Sequence, residues 1–209
     1  MGTLFIVATP IGNLRDLTLR AKEILSKVEI ILCEDTRRTQ ILLKFIEASN
    51  RPTLLSYFEQ NEQNRIPQAL NALQNSIDVA LVSDAGTPTI SDPGFKLVRE
   101  CIKQGIQVES IPGPSSVISS LVVSGLPTDK FLFVGYLPRK PGHRKKMLLD
   151  ITKMIQIMKL TIIIFEAPHK LINTLKEMKE VFDDIEIVIC RELTKVHEEI
   201  RREKISESI

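Results

Sequence analysis

Three cysteines without a CxxC pair, three histidines without ligand spacing and no tryptophan remove most of the signatures by which small proteins declare their chemistry. Cys33, Cys101 and Cys190 lie far apart, are odd in number, and each sits in or beside an apolar run. Buried, reduced thiols and a cytoplasmic home are therefore expected rather than a disulfide framework. His143, His169 and His197 form no HExxH, and no metal site is expected. A GxxxxGK[ST] motif is missing, which removes a Walker-type nucleotide site, and no GxGxxG follows the first apolar run. No apolar stretch reaches membrane-spanning length, and the N-terminus reads as a strand rather than a signal peptide. The net charge is only +2. A polybasic coat is thereby excluded, and any nucleic-acid surface must be local.

What the chain does have is a 43% hydrophobic composition arranged as short apolar runs that alternate with helical spacing. Leu4–Ala8, Ile30–Cys33, Thr53–Ser56, Val79–Val82 and Val108–Ile111 read as buried strands. Between them, helical patterns begin at Leu19 with Thr18 as N-cap, carry Ile41, Leu42, Phe45 and Ile46, carry Ile66, Leu70, Leu73 and Ile77, and run from Phe95 through Leu97, Val98 and Ile102 to a stop at Gly105. Such alternation predicts an α/β protein with a parallel sheet covered on both faces. The loops after the strands, Thr9–Asn13, Glu34–Thr36, Ser83–Gly94 and Pro112–Ser116, are then expected to converge on one sheet edge.

The most informative of these loops follows Val79–Val82. Ser83 to Gly94 reads SDAGTPTISDPG, twelve residues of turn chemistry between a strand and a helix. Gly86 and Gly94 permit positive φ or close approach of a ligand. Pro88 and Pro93 stiffen the loop, so binding orders less of it. A long loop of this kind at a strand end is read as a ligand site.

Near residues 124–129 the pattern breaks, and a second αβ set follows. Phe131–Val134, Leu160–Phe165 and Ile185–Cys190 read as strands, and Leu148–Ile157 and Leu171–Phe182 as helices. Two domains, 1–124 and 130–209, are expected. Glu198 to Glu207 is mostly charged, and the second domain is expected to lack a closing hairpin. The loop from Tyr136 to Lys146 holds Arg139, Lys140, Arg144, Lys145, Lys146 and His143 beside an aromatic ring. Cations at this density attract phosphates and release counterions on binding, and Arg37 and Arg38 are candidates for the same surface. Glu166 and His169, after a buried strand, are candidates for proton handling. For these residues the structural alternative, loop orientation and helix capping, stands equally open.

Taken together, VATPIGNLRDLTLRA, CEDTRRT, VSDAGTPTISDPG, IPGPSS, GYLPRK, FEAPHK and CRELTK resemble the bacterial small-subunit ribosomal RNA 2′-O-ribose methyltransferases of the tetrapyrrole methylase superfamily. The resemblance runs from Leu4 to about His197. It implies two α/β domains with S-adenosylmethionine in the cleft between them, a homodimer, and a decoding-site cytidine of 16S rRNA in the small ribosomal subunit as acceptor. It places Pro10, Ala85, Gly86, Thr87, Ile90, Ser115, Ser116, Phe165 and Glu166 at the cofactor. Methyl transfer to a ribose hydroxyl calls for a base, for which Glu166 and His169 are the first candidates and Asp35 and Lys195 the outsiders. Porphyrin-modifying relatives resemble GxGPGD in the first loop, where this chain has Ala8–Asn13. That departure and the cationic segment favour RNA over a tetrapyrrole acceptor. A non-catalytic RNA-binding homologue is the other alternative.

Overall fold

The computed structural model describes all 209 residues, which form two compact units, Met1–Ser116 and Val117–Ile209. In the first unit β1 (Leu4–Val7), β2 (Ile30–Cys33), β3 (Thr53–Ser56), β4 (Val79–Val82) and β5 (Val108–Ile111) form one parallel sheet in the order β3-β2-β4-β1-β5. Alternate side chains enter opposite layers, as the two-residue period of a strand requires. Leu4, Ile6, Leu32, Val79 and Leu81 pack with α3 (Glu62–Gln74) and α4 (Phe95–Lys103). Val7, Ile31, Cys33, Ala80 and Val82 pack with α1 (Leu19–Leu25) and α2 (Thr36–Phe45). Burial on both faces is why these strands read as continuous apolar runs.

The helix ends follow local chemistry. Thr18 caps α1, its Oγ1 accepting from the Ala21 N–H at 3.2 Å, and Gly105 follows α4 with φ +67°. The buried stripes are narrower than expected. Leu42 and Ile46 are buried at α2, whereas Ile41 is 61% and Phe45 47% exposed. On α4, Leu97 and Cys101 are buried, while Phe95 and Ile102 lie outside. A helix against a sheet buries one stripe, and apolar residues beyond it stay at the surface. Cys33 and Cys101 are buried free thiols and Cys190 is partly buried.

In the second unit α5 (Ser116–Ser124), whose first residue closes the first unit, leads to β6 (Phe131–Tyr136). The helix α6 (Pro141–Met158) crosses over to β7 (Thr161–Phe165), which pairs parallel with β6, and α7 (Leu171–Phe182) follows. The two compact units divide after Ser116, at the first residue of α5. Arg202 explains why α5 belongs with the later residues, because its guanidinium donates to the carbonyls of Ser124 and Val123.

Two expectations are corrected. His143 to Lys146 lie on α6 and not in a loop, because Pro141 starts the helix early, at a position where its fixed φ and missing N–H cost nothing. The chain also carries a hairpin near its end. β8 (Glu186–Arg191) pairs antiparallel with β9 (Glu199–Lys204), and α8 (Ile205–Ser208) buries Ile205 completely. β9 escapes a sequence reading because it is charged at most positions. Its charges find partners across the hairpin and along the strand, as in Arg191–Glu199 and Arg201–Glu203. No helix is long and apolar enough to cross a membrane.

Candidate functional site

Four strand-end loops of the first unit are stitched together at the carboxyl edge of its sheet. Thr9 and Gly86 form an isolated antiparallel bridge, with N–H···O distances of 2.8 and 3.0 Å. The buried Thr9 hydroxyl donates to the Ser83 carbonyl at 3.0 Å. Thr87 Oγ1 donates to the Pro114 carbonyl at 3.2 Å. A Cβ on Gly113 would stand 3.1 Å from the Ala8 Cβ, a crowded contact that glycine avoids where the β5 loop passes β1. On the other side, the Asp35 N–H donates to Asp84 Oδ1 at 3.0 Å. The convergence expected from the strand order is thus realised by named contacts.

The loop from Ser83 to Gly94 is held in an unusual shape. Gly86, Thr89, Ser91 and Gly94 have φ of +86°, +74°, +62° and +131°. A β-branched residue at positive φ is a genuine outlier. Such residues cost about 1–3 kcal/mol each and persist only where surroundings over-determine them. Ala85 and Ile90 are exposed here, and Ser115 and Ser116 are half-buried beside Pro114. Pro10 is buried under the first loop. The structure therefore gathers Pro10, Ala85, Gly86, Thr87, Ile90, Ser115 and Ser116 on one edge.

This edge is acidic. Glu34, at the end of β2, has a buried Oε1 without a hydrogen-bond partner. Burial, reinforced by Asp92 and Asp84 and opposed by Arg38, pushes its pKa up to about 7. Burial likewise raises Asp92, with Asp84 adding to it and Ser83 opposing. Asp35 behaves oppositely. It caps α2 and takes a bidentate pair from the Arg37 guanidinium, which holds its carboxyl down at about 2. Asp35 is thus a poor proton acceptor at neutral pH. Arg38 lies 3.5 Å from Asp84, so both arginines of the RRT segment already face carboxylates. Glu34 is the functional candidate missed by sequence reasoning. Its one signal was a carboxylate directly after a buried strand, and the acids that perturb it come from a loop some fifty residues on.

Small side chains and glycine line the loop, exposed Ile90 and Ala85 flank it, and the carboxylates of Asp84 and Asp92 supply negative charge for a cationic donor. The residues present fit S-adenosylmethionine.

In the second unit Phe165, at the end of β7, packs edge-on with Phe133 at 4.7 Å and Tyr136 at 5.6 Å between ring centroids. Both oxygens of Glu166 are engaged, Oε1 by the Ala167 N–H at 2.7 Å and Oε2 by Thr174 Oγ1 at 2.6 Å. That arrangement orients the turn into α7. His169 is exposed in that turn. Lys195 is paired with Glu192 at 3.0 Å. Arg139, Lys140, Lys145 and Lys146 are exposed around the start of α6.

Arg144 is committed to the fold. It pairs through two nitrogens with Glu177 on α7 and donates to the carbonyls of Pro138 and Arg139, with its side chain 16% exposed. Arg144→Ala strands the Glu177 carboxylate and two carbonyls. We expect a loss of about 1–3 kcal/mol, seen as a lower denaturation midpoint, because each group left partly buried and unpaired costs on this order. An unchanged midpoint would contradict the assignment.

The family model of Tetrapyrrole (Corrin/Porphyrin) Methylases matches residues 3–208. A Ribosomal RNA small subunit methyltransferase I from Thermotoga maritima is 46% identical over 209 residues, covering 100% of this chain and 91% of that protein. Among solved structures, the methyltransferase CobJ superposes with a TM-score of 0.74 at 16% identity, covering 100% of this chain and 89% of that one. A uroporphyrin-III C-methyltransferase from Thermus thermophilus, complexed with S-adenyl homocysteine, gives a TM-score of 0.67 at 17% identity, covering 99% and 90%. At these low identities the solved structures speak for the fold alone.

Proposed function

The chain belongs to the tetrapyrrole methylase family and is an S-adenosylmethionine-dependent methyltransferase, and on that premise we propose that it methylates small-subunit ribosomal RNA on the ribose 2′-hydroxyl of a decoding-site cytidine. The observation that carries the RNA acceptor is full-length identity of 46% to a protein named for ribosomal RNA methylation. A homodimer working in the cytoplasm belongs to the same reading.

In this reading Pro10, Ala85, Gly86, Thr87, Ile90, Ser115 and Ser116 hold the donor at the carboxyl edge of the first unit. The donor supplies a methyl group already activated on a sulfonium sulfur. The protein's work is then to position the acceptor oxygen and take its proton. We assign the proton to the Glu34 carboxyl in preference to Glu166 and His169. Glu34 has an unpartnered buried oxygen and a pKa near the working pH, where a general base is most effective. Glu166 has both oxygens occupied.

The direct test is incubation of the protein with methyl-labelled S-adenosylmethionine and unmodified small ribosomal subunits, followed by mapping. A ribose methyl on a decoding-site cytidine is expected. Label that enters a porphyrinogen and not the RNA would overturn the acceptor.

Arg37, Arg38, Arg139, Lys140, Lys145 and Lys146 are proposed to meet RNA phosphates, with Arg144 supporting the loop that carries Arg139 and Lys140. Arg139→Ala and Lys140→Ala are expected to raise the RNA dissociation constant and to flatten its salt dependence, by about 0.7–0.9 in log–log slope per lost phosphate contact. Donor binding should be unaffected. An unchanged salt slope would remove these residues from the RNA surface.

A further inference from the structure

Glu62 is a carboxylate held at the edge of an apolar layer, far along the chain from every residue assigned to the donor. It opens α3, and the whole residue is 4% exposed. Its Oε1 accepts from the fully buried Tyr57 hydroxyl at 3.0 Å and from the Gly94 N–H at 3.0 Å. Its Oε2 lies 2.9 Å from Lys96 Nζ. Burial by itself would raise its pKa, but the bonds from Lys96, the Gly94 N–H and Tyr57 outweigh it and hold the carboxyl below its ordinary range. Glu62 is therefore ionised at neutral pH with every bond in place.

Gly94 is where the Ser83–Gly94 loop leaves the site and enters α4. Its φ is +131°, and a Cβ there would lie 2.5 Å from Leu81 Cδ2 and 3.0 Å from Thr89 Cγ2. The loop's entrance is fastened inside the site, by the Thr9–Gly86 bridge and by Ser83 Oγ bonding to the Gly86 carbonyl at 3.3 Å. Its exit is fastened from outside, by Glu62. Between the two lie Thr89 and Ser91, both at unfavourable positive φ. A strained loop keeps its shape only while both ends are pinned.

We propose that Glu62 is a positioning residue for the methyl donor, holding Gly94 so that the loop from Ser83 to Gly94 stands ready in its binding shape before the donor arrives. This inference rests on the donor site proposed above. Apparent affinity falls in proportion to the fraction of protein in the competent conformation. Loss of the Glu62 latch should therefore weaken donor binding without altering the reaction of the loaded enzyme.

The test compares Glu62→Leu, which removes the acceptor, with Glu62→Gln, which keeps an oxygen for Tyr57 and Gly94. Leu73→Ala serves as a control, because it empties the same apolar layer from the same helix and leaves the Glu62 carboxylate in place. Calorimetry with S-adenosylmethionine is expected to show about a tenfold or larger rise in dissociation constant for Glu62→Leu, against less than about threefold for Glu62→Gln and Leu73→Ala. KM for the donor should rise with it, while kcat at saturating donor stays within about threefold. Equal affinity of wild type and Glu62→Leu overturns the proposal, as does equal weakening by Glu62→Gln or by Leu73→Ala. Should Glu62→Leu fail to fold, hydrogen exchange on the wild-type protein decides. The Gly94 amide is expected to be protected beyond its loop neighbours, and exchange as fast as theirs overturns the latch. A wild-type protein that takes up no donor would instead overturn the donor site itself.

Discussion

Glu34→Gln is expected to lower kcat for small-subunit RNA, at saturating donor, by about 10²–10⁴-fold, the usual contribution of a positioned general base. The amide keeps the shape of the side chain and cannot take a proton. The wild-type rate should rise with pH through the ionisation of Glu34 at about 7 and then level off. The variant should lose that limb. Stability should move the other way. The folded protein raises the Glu34 pKa, so it binds this proton more readily than the unfolded chain does. The stability tied to the proton is present at low pH and lost as pH rises through about 7. Glu34→Gln removes that penalty, so the thermal midpoint should rise above wild type at neutral and mildly alkaline pH and match it only below about pH 4.5, where folded and unfolded chains both hold the proton. A variant that is more stable and far less active is the signature of a residue kept for chemistry at the expense of the fold. An unchanged kcat with an intact pH limb would return the role to Glu166 or His169.

Leu81→Ala carries the largest expected loss of stability. Leu81 is 1% exposed on β4, the strand paired with both β1 and β2, and its side chain lies under Gly94. Truncation of a buried leucine costs about 2–5 kcal/mol, depending on how far the cavity collapses. At about 2–4 °C per kcal/mol for a chain of this size, the midpoint should drop by roughly 4–20 °C. Gly94→Ala should also destabilise, because its new methyl meets Leu81 Cδ2 at 2.5 Å. In the double variant the cavity receives that methyl. The two losses should then fall short of additivity by about 0.5–3 kcal/mol, the range found for residues in contact. Strict additivity in scanning calorimetry would contradict the packing of the loop exit on β4.

The sheet of the first unit was legible before any coordinates. LFIV, IILC and VALV are unbroken apolar runs because both faces of a parallel sheet are covered. Their loops announced themselves through Gly, Pro, Ser and Asp. β9 was not legible. EIRREK has no apolar alternation, and its place in a hairpin depends on ion pairs and on Ile205 at its end. The start of α6 was misplaced because basic residues on a helix and in a loop look alike in one dimension.

At the site, the segments were readable and the roles were not. CEDTRRT marked a strand end and holds Arg37, the partner of Asp35, yet nothing local sets the charge of Glu34. Tertiary structure separates them. Arg37 pins Asp35 in its ionised form, while burial, reinforced by Asp92 and Asp84, pushes Glu34 toward its neutral form. Arg144 reads as one cation among five until Glu177 claims it, and Glu62 reads as one more helical glutamate until Gly94 and Tyr57 turn to it. Hydrophobic period and turn chemistry act between near neighbours, so the amino-acid order alone determined the α/β class, the strands of the first unit and the convergence of their loops. Charge state and hydrogen-bond partnership depend on groups brought together from distant positions, so only the folded chain decided which carboxylate holds a proton, which holds a loop and which holds an arginine.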